Sequence, residues 1–538
     1  MVEASNETKN QYDYIIIGAG SSGCVMANRL SADPKNKVLV LEAGGADINP
    51  WIHVPVGYFK TMHNPSTDWC YMTEPDKGIN NRRLQWPRGK VLGGSSSLNG
   101  LLYVRGQAED YDRWEALGNK GWSYKDVLPY FKKSEDQERG ADEYHGVGGP
   151  LKVSDLRLRR SIADFFIKAA EQIGIEFNKD YNGANQEGVG YFQQTAHKGF
   201  RWSTARGFLR PAMKRNNVTV KTRCHTNRIL FNGDQAVGVE YQKKGKTYQA
   251  YANKEVILSA GAIGSPQILQ LSGIGEKSLL DRLEIPVVKD LPGVGKNLQD
   301  HLQIRLVFKT SQRTLNDEVN NYFKQFKAGL EYFFKRTGPL TLAASQIVIF
   351  TKSTPKAERP DIQFHMQPLS ADKPGDGVHD FSAFTSSVCQ LRPYSRGYID
   401  IVSTDPLKYP EIHPNYLSDD RDVQIAIDSV KVARKIAEAP ALKEHIIDEY
   451  VPGREFQTDE ELLDAARKFS QTIYHPTSTC KMGHDEMAVV DDRLKVHGIS
   501  GLRVVDASIM PEIVSGNTNA PAIMIAEKAA DMVLEDNA

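Results

Sequence analysis

The chain has 538 residues, of which 40% are apolar, and its 67 basic side chains balance 67 acidic ones. That length exceeds what one hydrophobic core usually supports, so we expect two to four domains. Zero net charge argues against a nucleic-acid partner and against a strongly anionic membrane partner, while peripheral contact with a membrane stays open. Small molecules are the expected ligands.

The five cysteines are scattered and include no C-x-x-C pair: Cys24, Cys70, Cys224, Cys389 and Cys480. Their odd number and wide spacing favour neither a disulfide framework nor a zinc site, which fits a reducing compartment. The N-terminal segment MVEASNETKN is polar, and no stretch approaches the roughly 20 apolar residues of a spanning helix. We therefore expect a cytoplasmic protein without a membrane span.

The first predicted element is a β-turn-helix-β unit over residues 12–42. A β-branched apolar run at residues 14–17 leads into GAGSSG, a G-x-G-x-x-G sequence. Gly18 permits the turn, Gly20 lets the backbone approach a pyrophosphate, and Gly23 lets the helix pack on the sheet. The helix N-terminus favours the diphosphate, and a second strand brings Glu42 to a ribose. The complete unit predicts dinucleotide binding, against the alternative of a chance glycine loop.

Residues after the first unit alternate between irregular, helical and strand-like sequence patterns. A long irregular stretch ends at a second glycine-rich cluster, residues 89–100, where backbone must pass close to a ligand or to other backbone. Residues 110–171 are largely helical in pattern, residues 217–240 and 246–258 are strand-like, and residues 265–271 predict a helix.

Residues 302–463 are richer in strand-forming and aromatic residues, which predicts a second domain with an antiparallel sheet. Within it, residues 419–437 predict a charged amphipathic helix on the surface. We expect a strand at residues 502–505, which ends in Asp506, and a helix at residues 520–534. Both are expected to belong to the nucleotide-binding fold of the N-terminal segment. The domains are therefore expected to be discontinuous.

Five separated motifs together resemble the glucose-methanol-choline (GMC) oxidoreductase family of FAD enzymes. They are the glycine turn at residues 18–23, GKVLGGSSSLNGLLYVRG, SAGAIGSPQILQLSGIG, YHPTSTCKMG with His475, and GNTNAPAIMIAEK with Asn519. The similarity spans residues 12–532. It implies bound FAD and oxidation of an alcohol CH–OH.

The resemblance also implies a fold class and domain boundaries. The class is α/β, with a doubly wound, Rossmann-like FAD-binding domain and a second, substrate-binding domain that contains an antiparallel sheet. We expect residues 11–160, 200–301 and 465–538 to form the FAD-binding domain. Residues 161–199 and 302–464 are expected to form the substrate-binding domain.

The resemblance assigns cofactor contacts residue by residue. The ADP half of FAD is expected on Gly18, Ala19, Gly20, Ser21, Ser22, Gly23, Glu42, Ala43 and Thr226. The ribityl chain and flavin ring are expected along Trp69, Arg88, Val91, Gly94, Ser95, Asn99, Gly100 and Leu101, with Asp506, Ala507, Asn517 and Thr518 from the C-terminal part. For Trp69, ordinary packing is the competing explanation.

Position 98 bears on how FAD is held. Some members of the family bind the flavin covalently through a histidine one residue before the asparagine of the first motif, where this chain has Leu98. Leucine offers no nucleophile. We therefore expect FAD bound without a covalent bond.

Alcohol oxidation needs a base within reach of the substrate hydroxyl, and His475 is the candidate. Asn519 resembles the second member of the family's His–Asn pair, although an asparagine just before Pro521 is also explained as a helix cap. A metal site built from His475, Cys480 and His484 is disfavoured because the spacing fits no usual ligand set. We expect no metal.

The substrate is predicted to be an uncharged or weakly polar primary alcohol. Choline-oxidising relatives carry a glutamate at what resembles Gln346, and a neutral residue does not offset the lost hydration of a quaternary ammonium. Choline, a short hydroxy acid paired with an arginine, a non-redox lyase on the same scaffold, and an NAD-type binding module without flavin remain alternatives. The sequence leaves the electron acceptor and the oligomeric state open.

Overall fold

The structure is a computed structural model that describes residues 10–372 and 377–538. Most of the polar N-terminal segment, residues 1–9, therefore lies outside the described residues. Two seven-stranded sheets organise the rest of the chain. This architecture confirms the predicted α/β class.

The first sheet contains the predicted nucleotide unit. Its neighbouring strands are, in order, Val218–Thr222, Val38–Glu42, Gln11–Ile17, Lys246–Leu258, Gln235–Lys243 and His225–Asn232, and Leu502–Val504 pairs with Lys246–Leu258. The pairs at its centre are parallel, and both central strands, Gln11–Ile17 and Val38–Glu42, end at the glycine turn or at Glu42. The helices Ser21–Leu30 and Asn519–Asp536 pack against each other on this sheet.

The second sheet is antiparallel throughout. Its strands are Ile446–Val451, Leu302–Thr310, Ala383–Gln390, Ile362–Gln367, Ile347–Thr351 and Gly188–Tyr191, and Ser470–Thr472 pairs with Leu302–Thr310. The helices Ser161–Gln172 and Asp420–Glu438 bury their apolar faces against it, the latter through Ala426, Val430 and Ile436. The amphipathic helix predicted at residues 419–437 is thereby confirmed.

Smaller elements surround the two sheets. The other helices are Pro50–His53, Tyr58–Thr61, Ala108–Ala116, Tyr124–Ser134, Arg210–Ala212, Gly261–Leu271, Lys277–Arg282, Asn316–Val319, Tyr322–Lys335, Pro440–Lys443 and Asp459–Phe469. The two-stranded pairs are Tyr71–Met72 with Gln85–Trp86, Glu135–Gln137 with Leu151–Val153, Ala196–His197 with Phe200–Arg201, Ile274–Gly275 with Lys289–Asp290, and Tyr398–Asp400 with Glu411–His413.

Two segments differ from the expected pattern. The region predicted as largely helical, residues 110–171, also contains the parallel pair Glu135–Gln137 and Leu151–Val153, because these strands are too short to show a period. The strand Ser470–Thr472 joins the second sheet although it lies beyond the expected boundary at residue 464. The second sheet therefore extends closer to His475 than expected.

No helix among the described residues combines the length and the apolar character needed to cross a bilayer. All five cysteines are free thiols, and four of them are buried. Burial raises the pKa of the Cys24 thiol to about 12, so this cysteine packs as a small apolar residue.

Candidate active site

One cavity of about 350 Å³ is lined by residues from both sheets. Two groups of lining residues are the glycine turn after the first strand, and His475 with Asn517. We call these the nucleotide end and the alcohol end. A cavity of this size that combines apolar walls with convergent polar groups is typical of a cofactor or ligand site.

The three glycines of the turn have different reasons to be glycine. Gly18 has φ +96°, and a Cβ there would lie 2.5 Å from the Ser259 carbonyl oxygen. A Cβ on Gly23 would lie 1.9 Å from the Gly18 carbonyl oxygen, so Gly23 serves the packing of helix on strand. A Cβ on Gly20 would meet no protein atom within 4 Å. Gly20 faces open cavity, which is the space that a pyrophosphate would need.

Glu42 holds the turn from within the cavity wall. Its carboxylate accepts hydrogen bonds from the backbone N–H of Ala19 at 2.8 Å and of Gly44 at 2.7 Å. Burial raises the pKa of Glu42 to about 7, against the effect of these two donors. The carboxylate therefore fixes the loop and borders the space where a ribose is expected.

Two helix N-termini face the nucleotide end. The Ser21 hydroxyl, at the start of Ser21–Leu30, donates to Asn519 Oδ1 at 2.8 Å, at the start of Asn519–Asp536. Unpaired N–H groups at both termini favour an anion between them. The Asn519 side chain is therefore bonded at the nucleotide end. The expectation that it pairs with His475 is corrected. The cap position belongs to Thr518, which makes no side-chain cap bond.

The cavity wall contains most of the residues expected to hold FAD. They are Gly18, Gly20, Ser21, Ser22, Glu42, Ala43, Trp69, Arg88, Gly94, Ser95, Asn99, Gly100, Thr226, Asp506, Ala507, Asn517 and Thr518. Four expected residues do not line it: Ala19, Gly23, Val91 and Leu101. Each of the four is shielded by the turn, by the helix or by apolar packing, as with Val91 against Ile52 and Leu98.

Trp69 belongs to an aromatic group at the nucleotide end. Its ring stacks on Tyr71 at 5.7 Å, meets His225 edge-on at 5.9 Å, and carries the Lys90 ammonium 4.4 Å above it. His225 precedes Thr226, so Trp69 lies close to the expected adenine contact. Trp69 packs against these side chains and also lines the cavity.

The alcohol end is organised around a chain of three polar side chains. His475 Nδ1 lies 2.9 Å from His301 Nδ1, and His475 Nε2 lies 3.1 Å from Asn517 Nδ2. His301 Nε2 lies 2.8 Å from the carbonyl oxygen of Leu391. Asn517, expected as a cofactor contact, therefore occupies the position beside His475 that was assigned to Asn519.

The hydrogen-bond partners fix the tautomers of both rings. Because a carbonyl only accepts, His301 Nε2 carries the hydrogen and His301 Nδ1 accepts. The hydrogen between the two Nδ1 atoms is then supplied by His475. His475 Nε2 is left with its lone pair, and it accepts from the Asn517 amide.

Burial keeps the histidines at this end neutral. Desolvation lowers the pKa of His301 to about 4 and that of His365 to about 3. Desolvation, with the neighbouring His301, His365 and Arg88, holds the pKa of His475 well below its ordinary value. The lone pair on His475 Nε2 is therefore present throughout the physiological pH range.

Asp300 anchors the backbone of His475. Its carboxylate accepts from the His475 N–H at 2.7 Å, from the Thr472 hydroxyl at 2.6 Å and from the Tyr416 hydroxyl at 2.5 Å. Burial raises the pKa of Asp300. The consecutive residues Asp300 and His301 thus hold His475 by its backbone and by its ring.

Gln346 does not line the cavity. Its side-chain amide donates to the Leu158 carbonyl at 3.0 Å and accepts from the Arg160 N–H at 3.3 Å. Its predicted contact with substrate is corrected: these two bonds hold the side chain, and the two preceding residues, Ala344 and Ser345, line the cavity instead.

Sequence reasoning missed Asp300, His301 and His365. The available signal was the pair Asp300-His301, two polar residues directly before the apolar strand Leu302–Thr310, where burial forces polar groups to find partners. His365 lies inside the buried strand Ile362–Gln367 and lines the cavity. No local pattern distinguishes it from a packed core histidine.

The disfavoured metal set does not gather in space. His475 faces the cavity, whereas His484 is half exposed and lies 3.9 Å from Asp492. Among the described residues, the one group spaced to hold a cation is Asp142, His145 and Asp180. His145 is already bonded on both ring nitrogens by carboxylates of Glu135 and Asp180, which raise its pKa to about 9.

A dinucleotide loop and a neutral histidine that line one cavity fit a nucleotide-dependent oxidoreductase. Comparison with known proteins agrees. The N-terminal GMC oxidoreductase family model matches residues 12–303, and the C-terminal one matches residues 393–526. The chain belongs to the GMC oxidoreductases and is an FAD-dependent alcohol dehydrogenase or oxidase of that family.

Similar proteins cover the chain from end to end. An "Alcohol dehydrogenase [acceptor]" of Pseudomonas putida is 45% identical over 97% of this chain and 96% of its own length. The mitochondrial choline dehydrogenase of Homo sapiens is 44% identical over 99% and 91%. Among solved structures, pyridoxine 4-oxidase from Mesorbium loti has a TM-score of 0.87 at 30% identity, covering 97% and 98%. An FAD-dependent oxidoreductase from Chaetomium thermophilum has a TM-score of 0.90 at 29% identity, covering 98% and 99%.

Proposed function

We propose that the enzyme oxidises a primary alcohol to the aldehyde, with His475 Nε2 as the proton acceptor. The observation that carries this proposal is the chain from the Leu391 carbonyl through His301 to His475, which leaves a lone pair on the nitrogen that faces the cavity. A positioned base of this kind typically contributes about 10² to 10⁴-fold.

Each side chain at the alcohol end has a defined part in the reaction. Bound FAD supplies the hydride acceptor. Asn517 Nδ2 lies 3.1 Å from His475 Nε2, so an alcohol oxygen that replaces this bond accepts from the amide while its own proton passes to the imidazole. The imidazolium that forms keeps its Nδ1–H bond to His301, which spreads the new charge.

FAD is proposed to be bound without a covalent bond. Leu98 packs against Ile52 and Val91 and lines the cavity, and it has no nucleophilic atom. The glycine turn and the two helix N-termini supply enough donors for a diphosphate. Precipitation in trichloroacetic acid tests this assignment: the yellow colour is expected in the supernatant, and colour in the pellet would contradict it.

An uncharged alcohol is the proposed substrate. Among the described residues that line the cavity, the two acids are Glu42 and Asp506, and both belong to the cofactor contacts expected above. The lining also contains Tyr58, Phe59, Met62, Leu98, Ile473 and Tyr474, together with neutral polar groups and the cations Arg88 and Arg305. A quaternary ammonium would lose its hydration here without a carboxylate to replace it.

The chemistry of Arg305 favours one second candidate, a short hydroxy acid. Its guanidinium lines the cavity and donates to the carbonyl oxygens of Ala371 and Asp372 at 3.1 and 3.0 Å. A guanidinium that donates to such carbonyl oxygens can also bind a carboxylate. Relatives include both alcohol and choline dehydrogenases, so identity alone does not separate the substrates.

Anaerobic reduction of the flavin by a panel of alcohols tests the substrate proposal. We expect butanol and benzyl alcohol to bleach the flavin with a higher second-order rate constant than choline or 3-hydroxypropionate. The highest rate constant with choline would overturn the argument from the absent carboxylate. Absence of bleaching with every alcohol would favour the non-redox lyase.

The division into domains and the compartment are also proposals. The strand Gly188–Tyr191 in the second sheet supports assigning residues 161–199 to the substrate-binding domain with residues 302–464. Residues 11–160, 200–301 and 465–538 are assigned to the FAD-binding domain, except for the strand Ser470–Thr472, which pairs in the second sheet. Five free thiols support a reducing, cytoplasmic location.

A further inference from the structure

One helix on the surface has its apolar face turned away from the protein. This helix, Tyr322–Lys335 with the sequence YFKQFKAGLEYFFK, is called the aromatic helix below. Five of its aromatic side chains are between 65% and 88% exposed: Tyr322, Phe323, Phe326, Phe333 and Phe334. Together with Leu330 they form one stripe, since positions 322, 323, 326, 330, 333 and 334 share a helix face.

The opposite face attaches the helix to the enzyme. Tyr332 is buried and donates its hydroxyl to the Gly199 carbonyl at 3.0 Å. Surface helices normally bury their apolar stripe and expose the polar one. Here the face that contains Tyr332 attaches the helix, and the contiguous apolar stripe is exposed to water. An exposed apolar surface of this kind marks an interaction site.

The charges beside the stripe identify the kind of partner. The aromatic helix contains three lysines, Lys324, Lys327 and Lys335, and one acid, Glu331. Within residues 10–372 and 377–538, no ion pair includes any of the three lysines. The acid accepts a hydrogen bond from the Thr337 hydroxyl at 3.0 Å. Aromatic side chains flanked by unneutralised lysines match the chemistry of an anionic lipid surface.

We propose that the aromatic helix docks the enzyme on the surface of an anionic lipid bilayer, with the aromatic stripe at the depth of the headgroups. A second copy of the chain fits less well, because a two-fold contact through this stripe would bring the lysines of both copies together. Overall neutrality of the chain conceals this local excess of positive charge.

The docking surface lies close to the cavity. The aromatic helix contacts the turn Pro339–Thr341, which contacts the turn Pro55–Gly57. The next residues along the chain, Tyr58 and Phe59, line the cavity wall. A docked enzyme therefore holds the alcohol end near the lipid surface, where apolar alcohols concentrate.

Sedimentation with vesicles tests the proposal on the full-length, FAD-loaded enzyme. We expect binding to vesicles of phosphatidylcholine and phosphatidylglycerol at 7:3, weaker binding to pure phosphatidylcholine, and weakening by 0.5 M NaCl. The double variant Phe326→Gln/Phe333→Gln is expected to lose at least tenfold in the partition coefficient. Phe177→Gln, a half-exposed phenylalanine outside the helix, serves as the matched control.

The variants also separate the possible partners. Neither Phe326 nor Phe333 lines the cavity, so the oxidation of a water-soluble alcohol is expected to be unchanged in the double variant. Equal vesicle binding by the wild type and the double variant would overturn the proposal. So would a wild-type dimer, measured by light scattering, that the double variant loses while neither protein binds vesicles.

Discussion

The two ends of the cavity are built on different principles. The nucleotide end is formed mainly by backbone, with a glycine turn and two helix N-termini held together by Glu42 and by the Ser21–Asn519 bond. The alcohol end is formed by side chains from distant segments, which meet as the chain Leu391, His301, His475 and Asn517. Binding and chemistry should therefore separate under mutation.

The largest expected effect is the loss of FAD binding, caused by a substitution at the nucleotide end alone. Gly20→Val should abolish FAD binding, because a branched side chain would occupy the open space into which Gly20 faces. The fold should survive, since a Cβ there meets no protein atom within 4 Å. The measurement is the flavin absorbance per mole of purified protein, beside its circular dichroism. Stoichiometric FAD in this variant would remove Gly20 from the cofactor site.

The two asparagines, two residues apart, sharpen the comparison. Asn517→Ala should keep FAD and lower the anaerobic flavin reduction rate by about 10² or less, since it removes the donor beside His475 Nε2. Asn519→Ala should leave that rate within about threefold and weaken FAD binding, since it removes the acceptor for Ser21. The reverse pattern would restore the assignment made from the motif and reject the geometry.

A further expected effect concerns the tautomer of His475. His301→Leu should lower the reduction rate at least about tenfold, because His475 loses the acceptor that fixes its Nδ1–H. His301→Gln offers an amide oxygen in place of that acceptor and should retain more of the rate. Equal rates for the two variants would show that His301 acts only through packing.

The pH profile provides a readout that packing alone would not change. The lowered pKa of His475 means that the proton-accepting form persists below pH 6.5 and is lost only as the pH falls through the depressed pKa. The wild-type reduction rate should therefore stay level as the pH falls from about 8 through 6.5. A half-maximal rate near pH 6.5, the ordinary pKa of a histidine, would contradict this environment for His475.

The same contrast explains what the sequence could predict. The nucleotide end follows from contiguous residues, so the turn at residues 18–23, the strand before it and Glu42 were all predictable, and so was the α/β class. The alcohol end depends on which residues meet across the fold. Asp300, His301 and His365 lie on or beside buried strands without a local pattern, and Asn517 and Asn519 are two residues apart, on either side of the start of a helix.

Short or irregular segments explain the other differences. Gln346 lies at a bend just before the strand Ile347–Thr351, so no periodic pattern predicts the direction of its side chain, and the two preceding residues line the cavity. The strand Ser470–Thr472 is too short to show the alternation that predicts a strand. The boundary predicted at residue 464 therefore excludes it from the second sheet. Periodicity in the sequence predicts individual helices and strands, whereas the strands and side chains that pair with each other are determined by the tertiary structure.

Single-turnover reduction of the flavin by butanol under anaerobic conditions, compared between the wild type and His475→Ala, tests the central claim most directly. The variant is expected to bind FAD stoichiometrically, because the nucleotide end is intact, and to lose at least about 10²-fold in the reduction rate constant. A reduction rate constant within threefold of the wild type, in a variant that holds FAD, would show that His475 Nε2 is not the proton acceptor.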